Sequence, residues 1–199
     1  MGYYIRVLGT NPAAIPAEHL RAAASPGVID LNVGDDHQWQ QLLLKHASGQ
    51  EIAIIERNAV VAGELGGEEL QEFIDEVPFY EPTSAAVWLG SYLPKVNVIY
   101  AFQLLGGTDL DDGWTLLHRV YNAVWSFTGG ILQADGEGFS NEEGYTILWQ
   151  FPESAQGAWN VGVLLDGSRW AHFEMDLGSL EHREAFRRGQ VPPGARLLT

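Results

Sequence analysis

Between two apolar stretches the chain runs Gln133-Ala134-Asp135-Gly136-Glu137-Gly138-Phe139-Ser140-Asn141-Glu142-Glu143-Gly144. Two carboxylates two positions apart on a glycine-rich loop are what a general acid/base pair needs. Together with the Asn141 carboxamide they are also hard oxygen donors of the kind a cation takes. The calcium-loop order is not kept. Counted from Asp135, Phe139 falls at the fifth position, Ser140 at the glycine turn and Thr146 where a bidentate glutamate belongs. The competing reading is a hairpin connection, in which the glycines take positive φ and Asp135 and Asn141 bond their own backbone.

A second group lies farther on. Trp170, His172, Glu174 and Asp176 alternate with Ala171, Phe173, Met175 and Leu177, so a strand puts the histidine and both carboxylates on one face. That face is either part of an acid/base or metal site or the solvated side of an antiparallel sheet, and the second is the commoner arrangement. Taken as chemistry, Asp135 and Glu137 form the acid/base pair of a carboxylate-dependent hydrolase with His172 beside them. His118 falls in a stripe with Trp114, Tyr121 and Trp125 and is expected at the edge of a packed helix face. The phosphate-binding loop, the dinucleotide fingerprint, the Gly-x-Ser-x-Gly elbow and the His-Glu-x-x-His helix are all absent. No metal site and no cofactor is expected.

The third feature is charge. Glu68, Glu72 and Glu76 recur at i, i+4 and i+8, with Glu69 and Asp75 beside them. Each like-charge step costs a helix about 0.2–0.5 kcal/mol, and Glu76 stands where the helix dipole disfavours a carboxylate. A sequence that needed only solubility would intersperse lysine there. The tolerated repulsion points to a surface for a cationic partner, to which Asp109, Asp111, Asp112, Glu137, Glu142 and Glu143 would add. The plain alternative is a solvated face on an acidic protein.

Composition sets the frame. The chain has 199 residues and a formal net charge of −15, from 26 acidic and 11 basic side chains. Phosphate backbones and anionic membranes repel such a chain, so neither nucleic acid nor a membrane is expected as partner. No residue is cysteine, which removes thiol chemistry and fits a reducing compartment, so a cytoplasmic location is expected. The opening Met1-Gly2-Tyr3-Tyr4-Ile5-Arg6 carries an arginine inside its short apolar run and does not read as a signal peptide. No apolar run approaches the length of a membrane span.

These residues have to be positioned by alternating elements. Strands are expected at 4–8, 28–31, 42–46, 52–57, 96–105, 131–135, 145–151, 159–165 and 169–177, although 39–46 also fits a helix on pattern alone. Helices are expected from Pro16, over 68–77, from Pro82 to Leu93, over 112–127 with the aspartates before it as caps, and over 180–188. The result is an α+β fold with a largely antiparallel sheet of about seven to nine strands and four to five helices. No linker-like stretch divides the chain, so 1–199 reads as a single domain, with 1–94 and 95–199 as possible lobes.

The runs Ile131-Leu132-Gln133-Ala134-Asp135-Gly136-Glu137-Gly138-Phe139-Ser140-Asn141 and Ile147-Leu148-Trp149-Gln150-Phe151, with the opening Gly2-Tyr3-Tyr4-Ile5-Arg6-Val7-Leu8, resemble a group of uncharacterised bacterial cytoplasmic proteins. Size, charge and element order are similar to those of the small acidic α+β immunity proteins that neutralise toxins of neighbouring cells. That resemblance implies an inhibitor of a basic toxin and carries over no functional residue. The leading expectation is therefore a non-catalytic acidic interaction module of immunity type. The hydrolase is the alternative, and a cation- or sugar-binding module using the 133–144 loop comes third. The oligomeric state is left open.

Overall fold

The computed structural model describes residues 2–198. It is α+β and antiparallel, with five α-helices and ten strands among the described residues. The chain forms two compact units, residues 1–68 with 96–130 and residues 69–95 with 131–199. No helix among the described residues is long and apolar enough to cross a membrane.

In the first unit, strands β1 (Tyr4–Gly9), β2 (Val28–Val33), β3 (Gln41–Lys45), β4 (Glu51–Ala59) and β5 (Val98–Leu104) lie in the order β2-β3-β4-β5-β1. The apolar, β-branched and aromatic run of β5 is what a central strand requires: Val98 to Phe102 are all buried. In β3, Leu42 and Leu44 are buried while their neighbours are not, the period of two that resolves the helix-or-strand ambiguity of 39–46 in favour of a strand. Helices α1 (Ala17–Ala24) and α4 (Gly113–Thr128) pack together, and α4 also meets β1 and β4. Gly130 has a φ of 94° and approaches the Leu8 carbonyl so closely that a Cβ would stand 2.0 Å from that oxygen. Only glycine fits there.

Helix α2 (Leu65–Glu76) starts three residues before the predicted 68. Its first turn lies directly on the end of β4: a Cβ on Gly66 would meet the Ala59 carbonyl oxygen at 2.5 Å, and one on Gly67 the Val61 carbonyl oxygen at 2.1 Å. Two poor helix formers are tolerated because the backbones could not otherwise approach.

The second unit holds α3 (Thr83–Tyr92), the hairpin β6 (Ile131–Ala134) and β7 (Gly138–Ser140), strands β8 (Ala158–Leu165), β9 (Arg169–Asp176) and β10 (Arg196–Leu197) in the order β10-β9-β8, and α5 (Leu180–Arg187). Its core gathers Trp149, Phe151, Val161, Val163, Phe173, Met175, Leu177 and Phe186. Positive φ at Asp166 and Gly167 turns β8 into β9.

Three expectations are corrected. Residues 145–151 form no strand, because their backbone groups bond to several different neighbours. Thr146 N–H donates to Asn160 O (3.2 Å), Ile147 N–H to Phe139 O (2.8 Å) and Trp149 N–H to Glu81 O (2.7 Å), while Asn141 N–H donates to Tyr145 O (2.9 Å). A strand needs one neighbour along its length. Asp112 sits at the start of α4 without a side-chain capping bond; its carboxylate pairs instead with His46 Nε2 at 3.0 Å. His118 is exposed rather than packed, with the Trp114 ring 5.8 Å away.

One buried cation organises the end of the second unit. Arg183, 8% exposed, donates from Nε to Leu177 O, from Nη1 to Glu153 O (2.7 Å) and Glu153 Oε2 (3.0 Å), and from Nη2 to Ala155 O (2.8 Å). Replacing it by methionine strands three carbonyls, and Arg183→Met should cost about 2–4 kcal/mol of stability. Urea unfolding of variant and parent, at equal slope, measures the difference; a loss within about 0.5 kcal/mol contradicts the assignment.

Candidate functional site

The carboxylate loop folds as a tight hairpin followed by an ordered bend. Asp135, Gly136 and Glu137 make the β6–β7 turn, with Gly136 at a φ of 71° and Glu137 N–H donating to Ala134 O at 3.1 Å. Gly138, at a φ of 103°, would place a Cβ 2.5 Å from the Leu148 carbonyl oxygen, so this position also excludes any side chain.

Beside the turn is a cavity of about 370 Å3 lined by Phe73, Glu76, Tyr80, Gln133, Asp135, Gly136 and Gln150. Each wall has a local cause. Phe73 comes from the apolar face of α2 and meets the buried Phe139 edge-on at 5.4 Å and 88°, an arrangement aromatic quadrupoles favour. Glu76 ends α2, and Tyr80 Oη donates to its Oε2 at 3.4 Å. Gln133 points inward from β6 and is only 5% exposed. The cavity thus combines two carboxylates and two carboxamides with two aromatic rings. That chemistry suits an organic cation with several N–H groups, since carboxylates and carbonyl oxygens accept while ring faces attract positive charge.

Sequence reasoning placed Asp135 with Glu137 and His172. The structure brings Asp135 to the cavity, but Glu137 and His172 do not line it. His172 has a different environment: its ring stacks on Tyr145 at 3.8 Å and 8°, and its side chain is 13% exposed. The part of that face carrying Trp170 and His172 is therefore covered, with Trp170 meeting Trp88 edge-on at 5.2 Å, while Asp176 on the same face is exposed.

Asn141, 1% exposed, holds the bend. Its Oδ1 accepts N–H bonds from Glu143 (3.1 Å) and Tyr145 (3.0 Å), which fixes the orientation of the amide. Nδ2 can then only donate, so His172 Nε2, 3.3 Å away, accepts and the ring proton belongs on Nδ1. Glu143 Oε2 stands 3.7 Å from that Nδ1. The histidine is held as a packing and hydrogen-bonding group.

The other acidic positions divide by environment. Glu68, Glu72, Asp75 and Glu76 are exposed on α2, and Glu69 is half-buried. Among the described residues no cation lies within ion-pair distance of Glu68, Glu72, Asp75 or Glu76. Glu142 accepts a hydrogen bond from Tyr92 Oη at 2.7 Å. Asp109, Asp111 and Asp112 belong to the first unit, where Asp112 is taken by His46. No group of three or more metal-ligating side chains occurs among the described residues.

Sequence reasoning missed Phe73, Gln133, Gln150, Tyr80 and Tyr92 as members of these sites. A glutamine in an otherwise apolar strand was the available signal for Gln133. Comparison with known proteins supplies no relative: no family model matches the chain, and no significant match is found among curated proteins or solved structures.

Burial, followed by the hydrogen bond to Glu142, pushes the Tyr92 phenol well above its ordinary value of 10.0. The folded state thus holds this proton more tightly than the unfolded chain. Its stabilisation is complete below about pH 10 and is lost as pH rises beyond that value. Denaturant unfolding between about pH 9 and 11.5 should show a shallower loss of stability in Tyr92→Phe than in the parent, and equal slopes contradict this.

Proposed function

We propose that this protein is a non-catalytic binding module for a basic protein partner, an inhibitor of the immunity type acting in the cytoplasm, with α2 as its contact surface. The observation that carries the reading is the unneutralised run of Glu68, Glu72, Asp75 and Glu76 along one helix.

Four arginines of the second unit are committed elsewhere. Arg183 and Arg187 hold Glu153, with Arg187 Nη2 2.5 Å from Glu153 Oε1; Arg187 also approaches Glu81 at 3.9 Å. Arg188 pairs with Glu184 at 3.6 Å and Arg196 with Glu174 at 2.6 Å. The repulsion along α2 is therefore left for an external cation to relieve, and the potential it creates steers a positive partner towards it. The cavity at the end of that helix gives the attraction a specific contact: a lysine or arginine side chain entering it would meet the Glu76 carboxylate, the Gln133 and Gln150 carboxamides and the Phe73 and Tyr80 rings. Glu137, Glu142 and Glu143 would extend the surface. The hydrolase reading lacks its constellation, since Asp135 lies in a cavity lined by neither Glu137 nor His172.

The test is charge reversal. Glu68→Lys, Glu72→Lys and Glu76→Lys together should leave the fold intact, judged by circular dichroism, and weaken binding of a fluorescent arginine-glycine peptide at least about tenfold at low salt. Raising salt from about 50 to 300 mM should erase most of that difference. Binding equal to that of the parent at low salt rules out α2 as the contact surface.

A further inference from the structure

The first unit contains a cavity of opposite chemistry. It measures about 420 Å3 and is lined by Ala14, His37, Gln38, Trp39, Gln40 and Arg57. In a chain of net charge −15, not one of these residues is acidic. Their polar side chains are an imidazole, two carboxamides, an indole and a guanidinium, a set rich in N–H donors.

Local structure sets the donors around Arg57. Residues 34–40 turn tightly: Asp35 Oδ1 accepts the N–H groups of His37 (2.8 Å) and Gln38 (2.9 Å), and Gln40 N–H donates to Val33 O at 2.9 Å. Trp39 anchors the turn from beneath. It is fully buried, its Nε1 donates to Ile15 O at 2.8 Å, and its ring lies 5.6 Å from that of Tyr100. Arg57 N–H donates to Gln40 O at 2.9 Å, which ties β4 to the turn. The indole is thereby occupied as an anchor, while His37, Gln38 and Gln40 are exposed at the rim.

Arg57 is the unusual member. Acidic side chains outnumber basic ones by more than two to one, yet no carboxylate lies within ion-pair distance of Arg57 among the described residues. Its Nη2 donates to Pro12 O at 2.7 Å, the Tyr100 phenol stands beside the guanidinium, and its buried Nε has no hydrogen-bond partner. Compare Arg21, Lys45 and Arg183, which sit with Asp36, Asp30 and Glu153 at 2.8, 2.7 and 3.0 Å. A half-buried guanidinium kept from the protein's own carboxylates, in a cavity with no acidic wall, is arranged for an external anion.

The neighbouring wall narrows the class. A second cavity of about 240 Å3 shares Gln40 and Arg57 and is also lined by Glu64. With a carboxylate lining the adjoining cavity and a net charge of −15, a single guanidinium favours a monoanion over a dianion. The planar fork matches a carboxylate bidentately, and the Gln38 and Gln40 carboxamides complement an amide. We infer that the first unit binds a small monocarboxylate carrying an adjacent amide, the chemistry of an N-acylated amino acid, with Arg57 on the carboxylate and Gln38 and Gln40 on the amide.

The experiment is nitrogen-15 NMR titration of the intact protein at constant pH and ionic strength, with N-acetylglycine as probe and acetate, neutral N-acetylglycinamide, chloride and inorganic phosphate as controls. N-acetylglycine should produce saturable shifts at the Arg57 Nε–H and the side-chain amides of Gln38 and Gln40, about fivefold tighter than acetate for the added amide contact. N-acetylglycinamide and chloride should produce no saturable shift there. Arg57→Lys should weaken binding at least about fivefold by losing the fork, and Arg57→Gln should abolish it, with amide resonances elsewhere reporting an intact fold. Absence of saturation in the parent, equal response to chloride or to the neutral amide, or unchanged binding in either folded variant overturns the site. Tighter binding of phosphate than of N-acetylglycine overturns the carboxylate assignment.

Discussion

Arg183 donates to three backbone carbonyls and shares the Glu153 carboxylate with Arg187, whose guanidinium lies 4.7 Å from the centre of the Trp149 ring. This latch closes the 149–155 segment over the core of the second unit and takes up its two most central cations. With only 11 basic side chains against 26 acidic ones, each arginine held by such a loop is one fewer to neutralise a surface. The pairs Arg188–Glu184 and Arg196–Glu174 repeat the pattern at the carboxyl end. The negative face of α2 is thus a consequence of how the fold distributes its cations, and both proposed sites follow from that distribution. One is a run of carboxylates without cations; the other is a guanidinium without a carboxylate.

Backbone geometry then turns composition into shape. The close approach of Gly66 and Gly67 to the carbonyls of Ala59 and Val61 sets where α2 begins, and hence which side chain ends it at the cavity. The irregular path of 145–151 has a similar effect. By bonding in turn to Phe139, Asn160 and Glu81, the segment gives up the regularity of a strand and brings Gln150 to the same cavity as Gln133 and Asp135. Asn141 holds the bend that starts this path, and its two accepted N–H bonds leave His172 as an acceptor packed on Tyr145.

Much of the fold was legible in the residues. The continuous apolar run of β5, the stripe of α2, proline at helix starts and the Asp166-Gly167 turn each act locally, so period and punctuation identify them; the three consecutive leucines of β3 did not choose between helix and strand. The 145–151 segment was misread because Ile147, Leu148, Trp149 and Phe151 have the composition of a strand, and burial alone satisfies that pattern. Which partner each backbone group finds is a tertiary fact. The same limit applies to the sites. The repulsive spacing of Glu68, Glu72 and Glu76 was visible at once, and Asp135 stood out in its glycine-rich turn. Gln133, Gln150 and Tyr80 join them only through folding, as do Gln38, Gln40 and Arg57, whose turn and strand are distant in sequence.

The central claim is that the end of α2 receives a positively charged side chain. Titrating nitrogen-15 labelled protein with N-acetyl-arginine methylamide, the smallest mimic of such a side chain, tests it directly. The account predicts saturable shifts confined to residues 72–80 and 133–136 and to Gln150. Shifts spread evenly over the acidic surface, or centred on Asp109, Asp111 and Asp112, would contradict it.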